Sequence, residues 1–279
     1  MSQENIPVVE IEWLEKHLND PKVKVIEVDY DPATAYNLGH IPNSVLGDWK
    51  KDFNKYPERD IIDPEGFEKL MSRLGVSNDH TVILYGDYNN WFAAFAYWIF
   101  KIYGHDDVKL LNGGRKKWID MGKPLVKDVP NVTPTSYKVK KVDYTIRATF
   151  LDVFRKLRDP NVVLVDVRSP DEFTGKILAP PEYPTEAAQR GGHIPGAVNI
   201  PWAQAVNPDG TFKSLDELRR LYESKGVTKD KEVIVYCRIG ERASHTFFVL
   251  KELLKYPKVR VYDGSWSEWG NMVGSPVEK

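Results

Sequence analysis

The chain has 279 residues, a net charge of −1, 42% hydrophobic residues and 28% charged residues. This balance excludes a disordered chain and any global basic field for nucleic acid or acidic membrane, and the length suits two domains with cores of their own. One cysteine excludes an intramolecular disulfide and fits a reducing, cytoplasmic setting.

Met1 to Glu10 lacks a basic region followed by an apolar core, so no export signal is expected. Val25-Ile-Glu-Val-Asp29 reads as a strand, and Gly39-His40-Ile41-Pro42-Asn43 as a turn. Val82-Ile-Leu-Tyr85 is a further apolar strand that ends at Gly86. The apolar run Trp91 to Phe100 is too short and too aromatic to span a membrane. Asn112-Gly-Gly-Arg-Lys-Lys-Trp118 follows, and residues 7–125 are assigned to a first domain. Residues 126–144, with Pro130 and Pro134, read as an extended linker.

Residues 145–279 then repeat the first pattern in the same order. Val162-Val-Leu-Val-Asp166 matches the strand at Val25, and Gly192-His193-Ile194-Pro195-Gly196 matches the turn at Gly39. Val233-Ile-Val-Tyr236 matches Val82–Tyr85, which sets Cys237 opposite Gly86, and Asp263-Gly-Ser-Trp-Ser-Glu-Trp269 matches the segment at Asn112. Two long units indicate a duplicated domain; a solenoid would need more and shorter ones. The second copy carries an insertion at roughly 174–190, rich in Pro, Ala and Glu, read as a surface loop that either borders the Cys237 pocket or is a solvated excursion. Leu215–Lys225 and Phe247–Leu254 have helical spacing, the second within a helical stretch expected from Ala243 to Tyr256. Apolar strands alternating with helices imply an α/β fold with a parallel sheet covered on both faces, and ligands then bind beyond the carboxyl ends of the strands.

Cys237 directly follows such a strand and opens the loop Cys237-Arg238-Ile239-Gly240-Glu241-Arg242. A lone cysteine after a strand is commonly an inert core residue. Two arginines and a glycine within six residues argue instead for an anion-binding nest that favours the thiolate. The expected chemistry is a nucleophilic thiol facing an anionic substrate.

At these residues the sequence resembles the tandem rhodaneses, the thiosulfate and mercaptopyruvate sulfurtransferases, over nearly its whole length. The motifs are Asp166-Val-Arg168-Ser-Pro-Asp-Glu-Phe173, Gly192-His-Ile-Pro-Gly-Ala197, the Cys237 loop and Tyr262-Asp-Gly-Ser-Trp-Ser-Glu-Trp269. The resemblance implies two rhodanese-like α/β domains, each a mainly parallel sheet flanked by helices, with the catalytic cysteine only in the second and the site near the cleft between them. In this family an arginine or lysine after the cysteine marks thiosulfate users and a small residue marks mercaptopyruvate users, so Arg238 points to thiosulfate. Two departures stand out. Glu241-Arg242 replaces the vertebrate valine–threonine pair, and Glu172 occupies the position of a substrate-facing arginine.

The expected reaction is attack of Cys237 on the outer sulfur of thiosulfate, loss of sulfite and a persulfide that a thiophile, cyanide or a thiol, then discharges. Arg238 and Arg242 are expected to hold the sulfonate oxygens, with the amides of Ile239, Gly240, Glu241, Arg242 and Ala243 around the persulfide. No metal or organic cofactor is expected, and neither nucleic acid nor membrane is an expected partner. Arg168 either reaches the substrate or forms an ion pair with Asp171 or Glu172. Asp166 is expected to fix the loop backbone, His40 and His193 to be structural, Trp266 and Trp269 to be core aromatics, and Tyr30 to line the interdomain cleft. The rivals are a cysteine phosphatase, which would place its arginine one residue further on, a mercaptopyruvate sulfurtransferase, and a persulfide carrier or binding module.

Overall fold

The computed structural model describes residues 7–181 and 186–279. The chain divides into two compact units, each built on one five-stranded parallel sheet. The first runs to Asp143 and takes in Pro208–Phe212, where the Phe212 amide donates to Asn112 Oδ1 at 3.1 Å. The second comprises Tyr144–Asn207 and Lys213–Lys279.

In the first unit the strands are β1 (Val8–Val9), β2 (Val23–Asp29), β3 (Val45–Asp48), β6 (Thr81–Tyr85) and β7 (Val108–Leu111), with the short antiparallel pair β4 (Asn54–Lys55) and β5 (Asp60–Ile61) standing apart. The helices are α1 (Ile11–His17), α2 (Trp49–Asp52), α3 (Pro64–Arg73), α4 (Asp87–Ile102) and α5 (Gly114–Asp120). The sheet order is β1-β7-β6-β2-β3. Parallel neighbours cannot be joined by hairpins, so each crossover carries a helix or a long turn. Local chemistry sets the boundaries: α3 begins at Pro64 because the Asp63 carboxylate accepts from the Gly66 amide at 2.8 Å. The apolar run Trp91–Phe100 forms most of α4, whose residues from Phe92 to Phe100 are all buried.

The second unit repeats the plan with β8 (Arg147–Ala148), β9 (Val162–Asp166), β10 (Val198–Asn199), β11 (Glu232–Tyr236) and β12 (Val259–Tyr262), in the order β8-β12-β11-β9-β10. Its helices are α6 (Phe150–Arg155), α7 (Pro170–Phe173), α8 (Leu215–Glu223), α9 (Glu241–Phe247) and α10 (Ser265–Trp269). The helix expected from Ala243 to Tyr256 starts two residues earlier, and from Phe248 to Leu253 it widens into a π-helix. The repeat extends to single hydrogen bonds. Tyr85 Oη accepts from the Ile41 amide at 3.0 Å, and Tyr236 Oη accepts from the Ile194 amide at 3.1 Å.

The core of the second unit gathers Leu164, Ile194, Ile234, Tyr236, Tyr262, Trp266 and Trp269, so both tryptophans are core residues. His40 bonds the carbonyls of Tyr36 and Asp128, while His193 bonds the Phe173 carbonyl at 2.9 Å and stacks on that ring. Both histidines are structural. Of the expected insertion, 182–185 lie outside the described residues. The rest contains no helix or strand, but it is no mere excursion: Ala188 enters the core, and Arg190 donates to the carbonyls of Trp269, Gly270, Met272 and Ser275.

Candidate active site

β11 is the middle strand of its sheet, paired with β9 and β12, and Cys237 is the first residue beyond its carboxyl end. The register sets Tyr236 beside Asp166, so the two loops that leave these strands start side by side. α10 fixes the backbone of the cysteine. The Cys237 amide donates to Ser265 Oγ at 3.1 Å, its carbonyl accepts from the Trp266 amide at 3.1 Å, and the Arg238 carbonyl accepts from the Ser267 amide at 3.0 Å.

The loop then turns back on the sulfur. Gly240 adopts φ +100°, a conformation that strains any other residue, and a Cβ there would stand a tight 3.1 Å from Asp263 Cα and Cβ. That turn aims the Gly240 amide at Cys237 Sγ, 3.2 Å away, and the Ala243 amide also stabilises the sulfur. On another side Sγ–H donates to Glu241 Oε2 at 3.2 Å. Ile239 is buried, as is the whole loop from Cys237 to Ala243.

Burial and a neighbouring carboxylate act against the thiolate that the loop's amides and arginines favour. Burial first, and the Glu241 carboxylate second, push the Cys237 thiol up to about 11, against the opposing pull of Arg242 and the Ala243 amide. Of the two arginines that suggested a depressed value, Arg242 is held by carboxylates. Arg242 Nη1 and Nη2 donate to the two oxygens of Glu172 at 2.8 and 3.0 Å, and its Nε faces Glu241 Oε1 at 3.3 Å. Burial works to raise Glu172, but the Arg242 fork, with Arg168 behind it, holds the carboxyl below its ordinary range.

Arg168 is wholly buried, and its partner is neither Asp171 nor Glu172. Its guanidinium donates to Asp166 at 2.6 Å and to the Gly192 carbonyl at 2.7 Å, over the face of Trp266. Asp166 also accepts from the Arg168 amide, which fixes the loop backbone as expected. Arg238 is completely buried beside the cysteine. Two residues with clear positions here went unassigned in the sequence: Ser265, and Glu172 as a partner of Arg242. Glu172 carried a signal, since Ser169-Pro-Asp-Glu172 is a capping box that places its carboxylate at the start of α7.

The equivalent loop of the first unit cannot do this chemistry. A Cβ on Gly86 would lie 2.0 Å from the Val28 carbonyl oxygen, and Tyr88, Asn89 and Asn90 all adopt left-handed conformations. Asp87 stands where Arg238 stands and accepts from the amides of Tyr30 and Asp31. Tyr30 stacks on Phe92 at 5.1 Å, with the Lys50 ammonium 3.7 Å from its ring centre. Beneath lies a buried carboxylate, Glu27, paired to Arg115 at 2.7 Å and to Tyr85 Oη. Burial first, then Asp29, push Glu27 up to about 8. Among the described residues no group of three or more His, Cys, Asp or Glu is placed to hold a metal ion, and no helix is long and apolar enough to cross a membrane.

A thiol cradled by amides beyond the middle strand of a duplicated parallel sheet defines a sulfur-handling α/β enzyme. The model of the rhodanese-like domain matches this chain twice, at residues 10–121 and 151–272, and the chain belongs to the rhodanese family. It is 56% identical over 98% of its length to the "Sulfur carrier protein TtuD" of Thermus thermophilus, covering 96% of that protein. It is 54% identical over its full length to a Saccharopolyspora erythraea protein described as "Putative thiosulfate sulfurtransferase", covering 98% of it. Among solved structures it resembles SseA of Escherichia coli, a 3-mercaptopyruvate sulfotransferase, with a TM-score of 0.80, 27% identity, and coverage of 94% of this chain and 99% of that one. The chain is a sulfurtransferase with two rhodanese domains, and only the second has a cysteine.

Proposed function

We propose that the enzyme moves the outer sulfur of thiosulfate through a Cys237 persulfide to a thiophilic acceptor and releases sulfite. The observation that carries this is the cradle itself: Sγ receives the Gly240 amide at 3.2 Å within a loop that also holds Arg238. Amides fixed by the fold stabilise a terminal sulfur anion without reorganising when it forms. Sulfite is a good leaving group, and Arg238 supplies positive charge next to the nucleophile. Arg242, with both terminal nitrogens on Glu172, is a weaker candidate for the sulfonate than its spacing suggests; it orders the acidic side of the pocket. Arg168 likewise supports Asp166 and the Gly192 turn.

The acceptor is a small thiophile such as cyanide, or a thiol. The name of the Thermus relative supports a second form of the same reading, in which the persulfide is passed to a protein thiol. A single cysteine, unable to form an internal disulfide, supports a reducing cytoplasmic setting. Intact-protein mass before and after thiosulfate, with sulfite followed in parallel, tests the reading. One added sulfur on the wild type and none on Cys237→Ala is the expected result. No added sulfur overturns thiosulfate as donor and puts mercaptopyruvate first.

A further inference from the structure

Cys237 Sγ is hydrogen-bonded to a carboxylate, Glu241, and burial pushes its thiol up, so the proton that the thiol gives up in forming a persulfide must go somewhere. The groups around the sulfur are out of bulk water: Cys237, Glu241 and Arg238 are wholly buried, and Arg242 nearly so. Glu241 Oε2 lies 3.2 Å from Sγ in line to accept that proton, and its other oxygen is steadied by Arg242 Nε. Arg242 cannot swing away, because Glu172 grips its two terminal nitrogens. The carboxylate is therefore held against the sulfur by a chain of three residues drawn from α7 and α9.

We propose that Glu241 is the catalytic acid–base partner of Cys237: it takes the Sγ proton as sulfur is loaded, keeps it while the persulfide stands, and returns it on discharge. The inference rests on the reading of Cys237 as the residue that accepts sulfur. In loading, Sγ forms a bond to the outer sulfur of thiosulfate, the S–S bond of thiosulfate breaks, and sulfite leaves with that bonding pair. The thiol proton moves to Glu241, so thiol, carboxylate and thiosulfate dianion become persulfide anion, carboxylic acid and sulfite dianion. In discharge a thiophile such as cyanide takes the outer sulfur, and the Cys237 sulfur recovers its proton from Glu241.

The attraction of this path is electrostatic. Glu172, Glu241 and Arg242 already place two negative charges against one positive charge around the sulfur, with the Arg168–Asp166 pair behind. A persulfide anion added to that set is costly in a buried pocket. Moving the proton to Glu241 leaves the total charge of the protein groups unchanged through loading and discharge. The Gly240 amide, already on Sγ, stabilises the electron pair as the proton leaves.

Two readouts test the role. In Glu241→Gln the negative charge is gone, so the Cys237 thiolate, followed by alkylation rate against pH, forms at lower pH than in the wild type. The burst of sulfite on mixing with thiosulfate nevertheless slows by about 10²-fold, the usual size of a lost acid–base group. These two changes have opposite signs, which a merely structural role or simple charge repulsion does not produce. A sulfite burst in Glu241→Gln as fast as or faster than the wild type overturns the proposal. Should that variant not fold, proton counting on the wild type decides the matter in weakly buffered indicator solution at about pH 8, with added sulfite as calibration. No proton released per sulfite is expected; one proton released per sulfite overturns the role of Glu241 while leaving the persulfide intact. No sulfite at all overturns the thiosulfate reading and this inference with it.

Discussion

Glu172 and Arg242 lie seventy positions apart in the chain and meet as a two-pronged ion pair, at 2.8 and 3.0 Å, almost wholly out of water. At the position where the resembling family carries a substrate-facing arginine, this protein has the carboxylate that ties down an arginine of the cysteine loop. Breaking one half of a buried pair leaves the other charge stranded. Arg242→Ala is expected to lower unfolding free energy by about 3–5 kcal/mol, measured by urea denaturation. Adding Glu172→Gln to it should restore part of that loss. Single and double variants of equal stability would show that the pair does not hold the loop.

The raised thiol predicts how the free enzyme meets an alkylating agent. With Cys237 pushed up to about 11, only a small thiolate fraction exists near neutral pH. The inactivation rate with iodoacetamide should rise about tenfold per pH unit across the range below that value. A plateau reached by neutral pH would mean that the arginines win over burial and Glu241.

In the first unit, Glu27 is the group whose pH dependence should be seen in stability. It is raised from 4.5 to about 8, so the folded state binds more protons than the unfolded state between those values. Its stabilising contribution is therefore complete below about pH 4.5 and falls as pH rises through about 8, by at most about 5 kcal/mol. Glu27→Gln should remove that decline. Parallel stability profiles for the two proteins, measured from pH 5 to 8 by denaturant titration, would contradict it.

Restoring the missing cysteine should not make a second site. At Gly86 any Cβ meets the Val28 carbonyl oxygen at 2.0 Å, so Gly86→Cys must displace the backbone of β2. We expect a destabilised protein, by about 1–3 kcal/mol. In a Cys237→Ala background it should gain no sulfur from thiosulfate by intact mass. A persulfide at position 86 would show that the first loop can still refold around a thiol.

The duplicated sheet was legible because β2, β6, β9 and β11 are short runs of branched apolar residues, each followed by a distinctive turn. Cys237 stood out for the same reason, as a reactive residue at a strand end. What could not be read was the pairing of charges. Arg168 and Arg242 look alike in the sequence, and which carboxylate each one finds depends on how the loops after β9 and β11 close over the sheet. The sign of the thiol shift followed from that closure: spacing showed the cations near Cys237 but hid the burial and the inward turn of Glu241. The bend of the chain at Gly240 was suggested by its residue type, whereas the widening of the helix after Phe247 left no mark in the pattern of apolar positions.

Arg190 gathers four carbonyls at and beyond the end of α10, while the start of α10 is hydrogen-bonded to the backbone of Cys237 and Arg238. One short helix is thus clamped at both ends, by a loop guanidinium at one and by the reactive loop at the other. In hydrogen–deuterium exchange, the amides of Cys237 and Trp266 should open together with the segment around Arg190, as one cooperative unit rather than as a fraying loop. Loosening a residue far from the sulfur in sequence would then blur the cradle without touching any group inside it.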